Sequence, residues 1–136
     1  MVSWQIAEHS RFKKICLMLA ALIFFLFTYF QLNDLQQYGN HDAWIWVLMY
    51  LFAALLNLFY IKYWVTPVVF SGWLGFSAGA LLFRLQDDQG NIHFSRLHPA
   101  NYWDTSGTHM IQNSNESGGL LILVFWALIL WIWAKR

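Results

Sequence analysis

The chain has 136 residues, of which 59% are apolar, 20% aromatic and only 11% charged. A soluble domain carries about 25% charged and about 45–50% apolar residues, because its surface must be wetted, so this composition excludes an ordinary water-soluble globule. A net charge of +1 gives no electrostatic basis for a nucleic-acid or strongly acidic partner.

Four apolar runs follow one another at 15–32, 43–61, 65–83 and 117–134, each 18 or 19 residues long. At about 1.5 Å per helical residue such a run measures about 27 Å, close to the bilayer's hydrocarbon thickness of about 30 Å. Helix is expected over strand because backbone polar groups in lipid must be satisfied within the segment. Barrel strands would alternate with period two, and these runs do not. The expected fold is all-α: a single four-transmembrane-helix bundle over 1–136. That makes the chain a multi-pass integral membrane protein with the lipid bilayer as its first partner, in the inner or plasma membrane if the source is bacterial.

The first run follows Arg11, Lys13 and Lys14, as a signal peptide would, but it is longer than a signal core and no small-residue cleavage site closes it. An uncleaved first helix is expected. Cys16, the single cysteine, lies inside it and cannot form an internal disulfide. The run closes on Gln31, Asn33 and Asp34, and the short loop that follows ends at His41 and Asp42. In the second run Trp44 and Trp46 mark one end and Tyr60 the other, with Tyr63 and Trp64 just beyond, as in an aromatic belt. Asn57 in that run is expected to bond across helices.

Pro67 fits the start of the third helix, where its missing N–H costs nothing. Ser71, Gly75 and Gly79 recur every four residues there and form a small-residue ridge that lets another backbone approach. It would serve packing inside the bundle, or a homo-oligomer or membrane-protein partner through helix three. The long loop 85–116 carries a turn at Asp87-Asp88-Gln89-Gly90-Asn91, and its Phe94, Leu97, Tyr102 and Trp103 suit a lid or interfacial segment better than a plain linker. Asn115 and Glu116 stand at the start of the fourth run, and Trp131, Trp133, Lys135 and Arg136 close it.

Arg11, Lys13, Lys14, Lys62, Lys135 and Arg136 flank one side of these runs, against Arg84 and Arg96 on the other. The excess of basic residues predicts that both termini are cytoplasmic and that loops 31–42 and 85–116 face out. Most acids and histidines then gather on the outer face, and those held by helix ends are the informative ones: Gln31, Asn33, Asp34, His41, Asp42 and Glu116. Two uses of them stay open. As caps, acids at helix starts meet the positive end of the helix dipole, worth about 0.3–1 kcal/mol, while Asn33 and Asp34 turn the chain out of the first helix. As a shared polar site, Asp34, Asp42 and Glu116 would offer carboxylates and Gln31 and Asn33 amides. That set suits a hard divalent cation, and His41 would shift the preference towards zinc. The same residues could hold a lipid head group or a small polar substrate. No cofactor is expected beyond such a divalent metal ion.

Gln31-x-Asn33-Asp34 closing the first helix, Asp42-x-Trp44 and Tyr50 in the second, and Glu116-x-x-Gly119-Leu120 opening the last resemble the transmembrane protein 220 family. The likeness covers helices one, two and four. Where the family commonly has proline after the Asn-Asp pair this chain has Leu35, and its third loop is longer than the family's pattern. The resemblance implies a four-helix membrane protein and brings no established activity.

The leading functional expectation is a non-enzymatic binding or accessory component with a polar site on its outer face. Its rivals are a membrane-embedded, metal-dependent enzyme acting on a lipid-like substrate through Asp34, Asp42 and Glu116, and a small transporter or channel subunit. A transport path needs acids or amides at mid-membrane, and the mid-helix positions here are nearly all apolar. There is no phosphate-cradling glycine loop or His-Glu-x-x-His.

Overall fold

The computed structural model describes residues 9–38, 43–98 and 112–136, without the side chains of 33–38, 43, 96 and 112–117. These residues form four long helices, α1 (Arg11–Tyr38), α2 (Ala43–Ile61), α3 (Pro67–Leu85) and α4 (Gln112–Lys135), with a short 3-10 helix at Phe94–Leu97 and no strand among them. The chain divides into two compact units, Met1–Val65 and Thr66–Arg136. Each unit is a helix hairpin.

In the first hairpin, α1 turns Leu17, Ala20, Ala21, Phe24 and Thr28 inward, the spacing of one helical face. Across from it α2 buries Trp46, Tyr50, Ala53, Ala54, Asn57 and Tyr60. Phe24 and Phe27 meet the Tyr50 ring at 6.4 and 5.3 Å, and His9 meets the Tyr60 ring at 4.5 Å, so the helices run antiparallel. In that register Ala20 and Ala21 stand opposite Ala54 and Ala53, and the small side chains let the two backbones close up. Thr28 and Asn57 on this seam each make a bond along their own helix. Thr28 Oγ1 donates to the Phe24 carbonyl at 2.9 Å, and Asn57 Nδ2 donates to the Ala53 carbonyl at 2.7 Å.

The second hairpin is built from Phe70, Trp73, Ser77, Leu81 and Leu85 of α3 and from Leu120, Leu123, Ala127 and Leu130 of α4. Trp131, near the end of α4, reaches Ser71, near the start of α3, so this pair is antiparallel too. The 3-10 helix that follows α3 folds back against α4.

Each hairpin leaves large apolar side chains uncovered, among them Leu48 at 65% exposure and Val68 at 78%. Four segments are long and apolar enough to cross a membrane, at Arg11–Leu32, Trp44–Ile61, Pro67–Leu85 and Gly118–Lys135, and at most half of any of them is buried within the protein. In water such surfaces would drive aggregation; in lipid they are the solvated face. The chain is a small multi-pass membrane protein.

Two expected helix ends are corrected. α1 continues from 32 to Tyr38, so Asn33 and Asp34 lie inside it and do not turn the chain out. Leu35, Gln36 and Gln37 are good helix formers, whereas a proline at 35 would have biased Asp34 away from helical backbone. α4 begins at Gln112, which puts Asn115 and Glu116 inside the helix rather than at its cap. Apolar content marks the part of a helix that lipid surrounds, and a helix that continues into water loses that signal while keeping its backbone bonds.

Candidate functional site

Gln31, half-buried, continues the inward stripe of α1 one turn beyond Thr28. Because α1 stays helical past it, Asp34 falls on a neighbouring side at i+3, and Asn33 falls across the helix from the buried stripe. The antiparallel register brings this polar end of α1 to the end of the hairpin where α2 begins. His41 and Asp42, the expected partners there, lie outside the described residues. Glu116 belongs to the other unit, in the second turn of α4, at the end where α3 finishes.

That end of the second hairpin carries a built polar turn. Asp87 Oδ1 accepts the backbone N–H groups of Gln89 and Asn91, both at 2.9 Å, and Oδ2 accepts from the Asn91 side chain at 3.3 Å. His93 Nε2 lies 2.8 Å from the same Oδ2. Around this carboxylate the backbone closes through Asp87 N–H to Asn91 O and His93 N–H to Leu85 O, with Gly90 at φ 84, where a glycine is needed. The His93 ring first, and then the Asn91 N–H, hold the Asp87 carboxyl well below the usual carboxylate range. The turn read from Asp87-Asp88-Gln89-Gly90-Asn91 is present, and His93 completes it. No three metal-ligating side chains come together among the described residues.

At the opposite end of the first hairpin, α2 stops in a Schellman motif. Trp64 N–H bonds Phe59 O and Tyr63 N–H bonds Tyr60 O, both at 3.0 Å. The left-handed position, usually glycine, is Tyr63 at φ 60. Its side chain explains the exception. Tyr63 Oη accepts the His9 backbone N–H at 2.7 Å, and the two rings stack at 4.4 Å and 8°. His9 Nε2 lies 3.0 Å from the Tyr60 carbonyl, and a carbonyl can only accept, so that nitrogen carries a proton. His9 is thereby buried, and the chain entering α1 is pinned to the end of α2.

The matching end of the second hairpin is held by Trp131. Its indole N–H donates to Ser71 Oγ at 2.8 Å, Ser71 in turn donates to the Pro67 carbonyl at 3.2 Å, and Lys135 Nζ sits 3.7 Å over the Trp131 ring. Ser71 thus binds α4, whereas Gly75 and Gly79 do not: each is exposed, and a Cβ added at either would meet no described atom within 4 Å. Within its own unit the glycine ridge turns away from α4.

Trp46, read as a belt residue, is buried and packs at 6.0 Å on Tyr50, while Trp44 and Trp64 remain exposed. Sequence reasoning missed the His9–Tyr60–Tyr63 knot and the Asp87–His93 pair. A histidine six residues past an aspartate across a glycine turn is a legible cue in hindsight; for His9 nothing in the spacing points to Tyr63.

The model of transmembrane family 220, helix, matches residues 23–132. The match covers most of the chain, which belongs to that family. No curated protein and no solved structure matches it significantly.

Proposed function

For this member of transmembrane family 220 we propose a non-enzymatic binding or accessory role, exercised through a polar site on the outer face of the membrane. The observation that carries the reading is the polarity of the two hairpins. The first has Gln31–Asp34 at its turn end, and the second has Asp87, His93 and Glu116 at its own. The excess of basic residues at 11, 13, 14, 62, 135 and 136 supports a cytoplasmic placement of the ends opposite these turns, and with it an outward placement of the turns themselves. Asp34, Asp42 and Glu116 are the acids proposed for that site, with His41 and the amides of Gln31 and Asn33 as its further polar groups. The exposed Gly75–Gly79 ridge is the seam through which a neighbouring helix would pack, in this chain or in a partner.

Single Asp34→Asn, Asp42→Asn and Glu116→Gln changes in the full chain test the site, since each keeps shape and removes charge. A binding role predicts that the protein still inserts and folds while a co-purifying metal, read by elemental analysis, or a polar lipid, read by mass spectrometry, is lost. A purely structural role predicts a stability change of about 1 kcal/mol or less with unchanged metal and lipid content.

A further inference from the structure

The apolar span of α3 ends at Leu85, and the Asp87 turn reverses the chain directly after it. Ile92 then pairs antiparallel with Gln86, and the His93 N–H bonds the Leu85 carbonyl at 2.8 Å. These bonds hold the returning chain level with the last residue of the span, which is the depth at which acyl chains meet head groups. From that level the 3-10 helix Phe94–Leu97 folds against α4, whose own span begins at Gly118.

The returning segment exposes apolar side chains. Ile92 is 42% and Phe94 64% exposed, and the last turn of α3 leaves Leu82 and Phe83 uncovered at the same border. In a 3-10 helix residues three apart eclipse one another, so Phe94 and Leu97 share one edge. Positions 92–97 hold no acid, and the Asp87 carboxylate is taken up by the Gln89 and Asn91 N–H groups and the His93 ring. A charge left facing lipid would oppose insertion; here it is bonded within the turn. The apolar surface of 92–97 therefore continues, at the same level, the side of α3 that lipid already solvates.

We infer that segment 92–97 is an interfacial anchor: Ile92 and Phe94 insert among the head groups of the leaflet in which α3 ends. Apolar side chains of such segments sink about 5–10 Å into the boundary between head groups and acyl chains. The anchor seats the Asp87 turn on the bilayer surface, so the chain between α3 and α4 lies along the membrane where it leaves α3. The inference is independent of the polar site proposed above and of which side of the membrane this end faces.

The test places the full chain, in a Cys16→Ala background, in phosphatidylcholine vesicles with one environment-sensitive NBD label at Ile92→Cys, Phe94→Cys or Asp88→Cys. Labels at 92 and 94 are expected to emit to the blue of the label at 88. Doxyl-labelled phosphatidylcholine should quench them, and more strongly with the doxyl group near the head of the acyl chain than near its tail. Aqueous iodide should quench the label at 88 instead. With the label at 92, adding Phe94→Ser is expected to shift emission to the red and reduce lipid quenching, whereas Phe94→Leu preserves both. Emission at 92 and 94 equal to that at 88, with iodide quenching, would place the segment in water and overturn the inference. Blue emission protected from both quenchers would overturn it as well, by showing that another part of the protein covers these side chains. Equal signals from Phe94→Ser and Phe94→Leu would show that Phe94 does not hold the segment at the surface.

Discussion

Tyr63 shows how a side chain can outweigh a backbone preference. An L-residue in left-handed backbone costs about 1–2 kcal/mol, and glycine would relieve that strain. Yet Tyr63 accepts the His9 N–H and stacks on its ring, and these two contacts together outweigh the strain by about 1 kcal/mol. Tyr63→Gly is therefore expected to lower stability by about 1 kcal/mol although glycine suits the position; a gain in thermal stability would show that the knot contributes nothing. Asp87 sets up a second residue-level test. Its depressed pKa means that the turn is stabilised at every pH above the ordinary carboxylate range, and the stabilisation is lost only as pH falls through the depressed value. Amide exchange at Gln89 and Asn91 should accordingly stay slow at mildly acidic pH. Asp87→Asn should speed it at all pH values. Exchange in the wild type that quickens near the ordinary carboxylate range would contradict the assignment.

Among the helices, the first hairpin depends on close approach at Ala20, Ala21, Ala53 and Ala54, all of them buried. Ala54→Leu adds bulk where there is no space and should cost about 1–3 kcal/mol, read as a lower unfolding midpoint in detergent, whereas Leu48→Ala on the exposed face should change little. Equal effects of the two would mean that the seam is elsewhere. The sequence disclosed the spans because twenty-odd apolar residues have few other uses. It did not disclose where α1 and α4 stop, since Leu35-Gln36-Gln37 and Gln112–Glu116 are helical without being apolar. The ridge of Gly75 and Gly79 was legible as a pattern, and the structure adds that α4 is not its partner. Trp46 misled because a tryptophan near a helix end suits both the interface and a core next to Tyr50.

At the scale of the whole molecule, the two hairpins repeat one design. Each has a polar turn end and an opposite end fastened by an aromatic, Tyr63 on His9 in the first and Trp131 on Ser71 in the second. The site residues were legible as a polar cluster, Gln31, Asn33 and Asp34, but not their backbone, which continues as helix to Tyr38 because Leu35, Gln36 and Gln37 are helix formers. The account depends most on both turn ends emerging on the outer side. Single cysteines placed in a Cys16→Ala background by His41→Cys, Asp88→Cys, Lys62→Cys and Arg136→Cys, probed on intact cells with a membrane-impermeant maleimide, test this directly. Labelling is predicted at 41 and 88 without permeabilisation, and at 62 and 136 only after it. Labelling of 62 and 88 from the same side, or of 41 and 88 from opposite sides, would contradict the account.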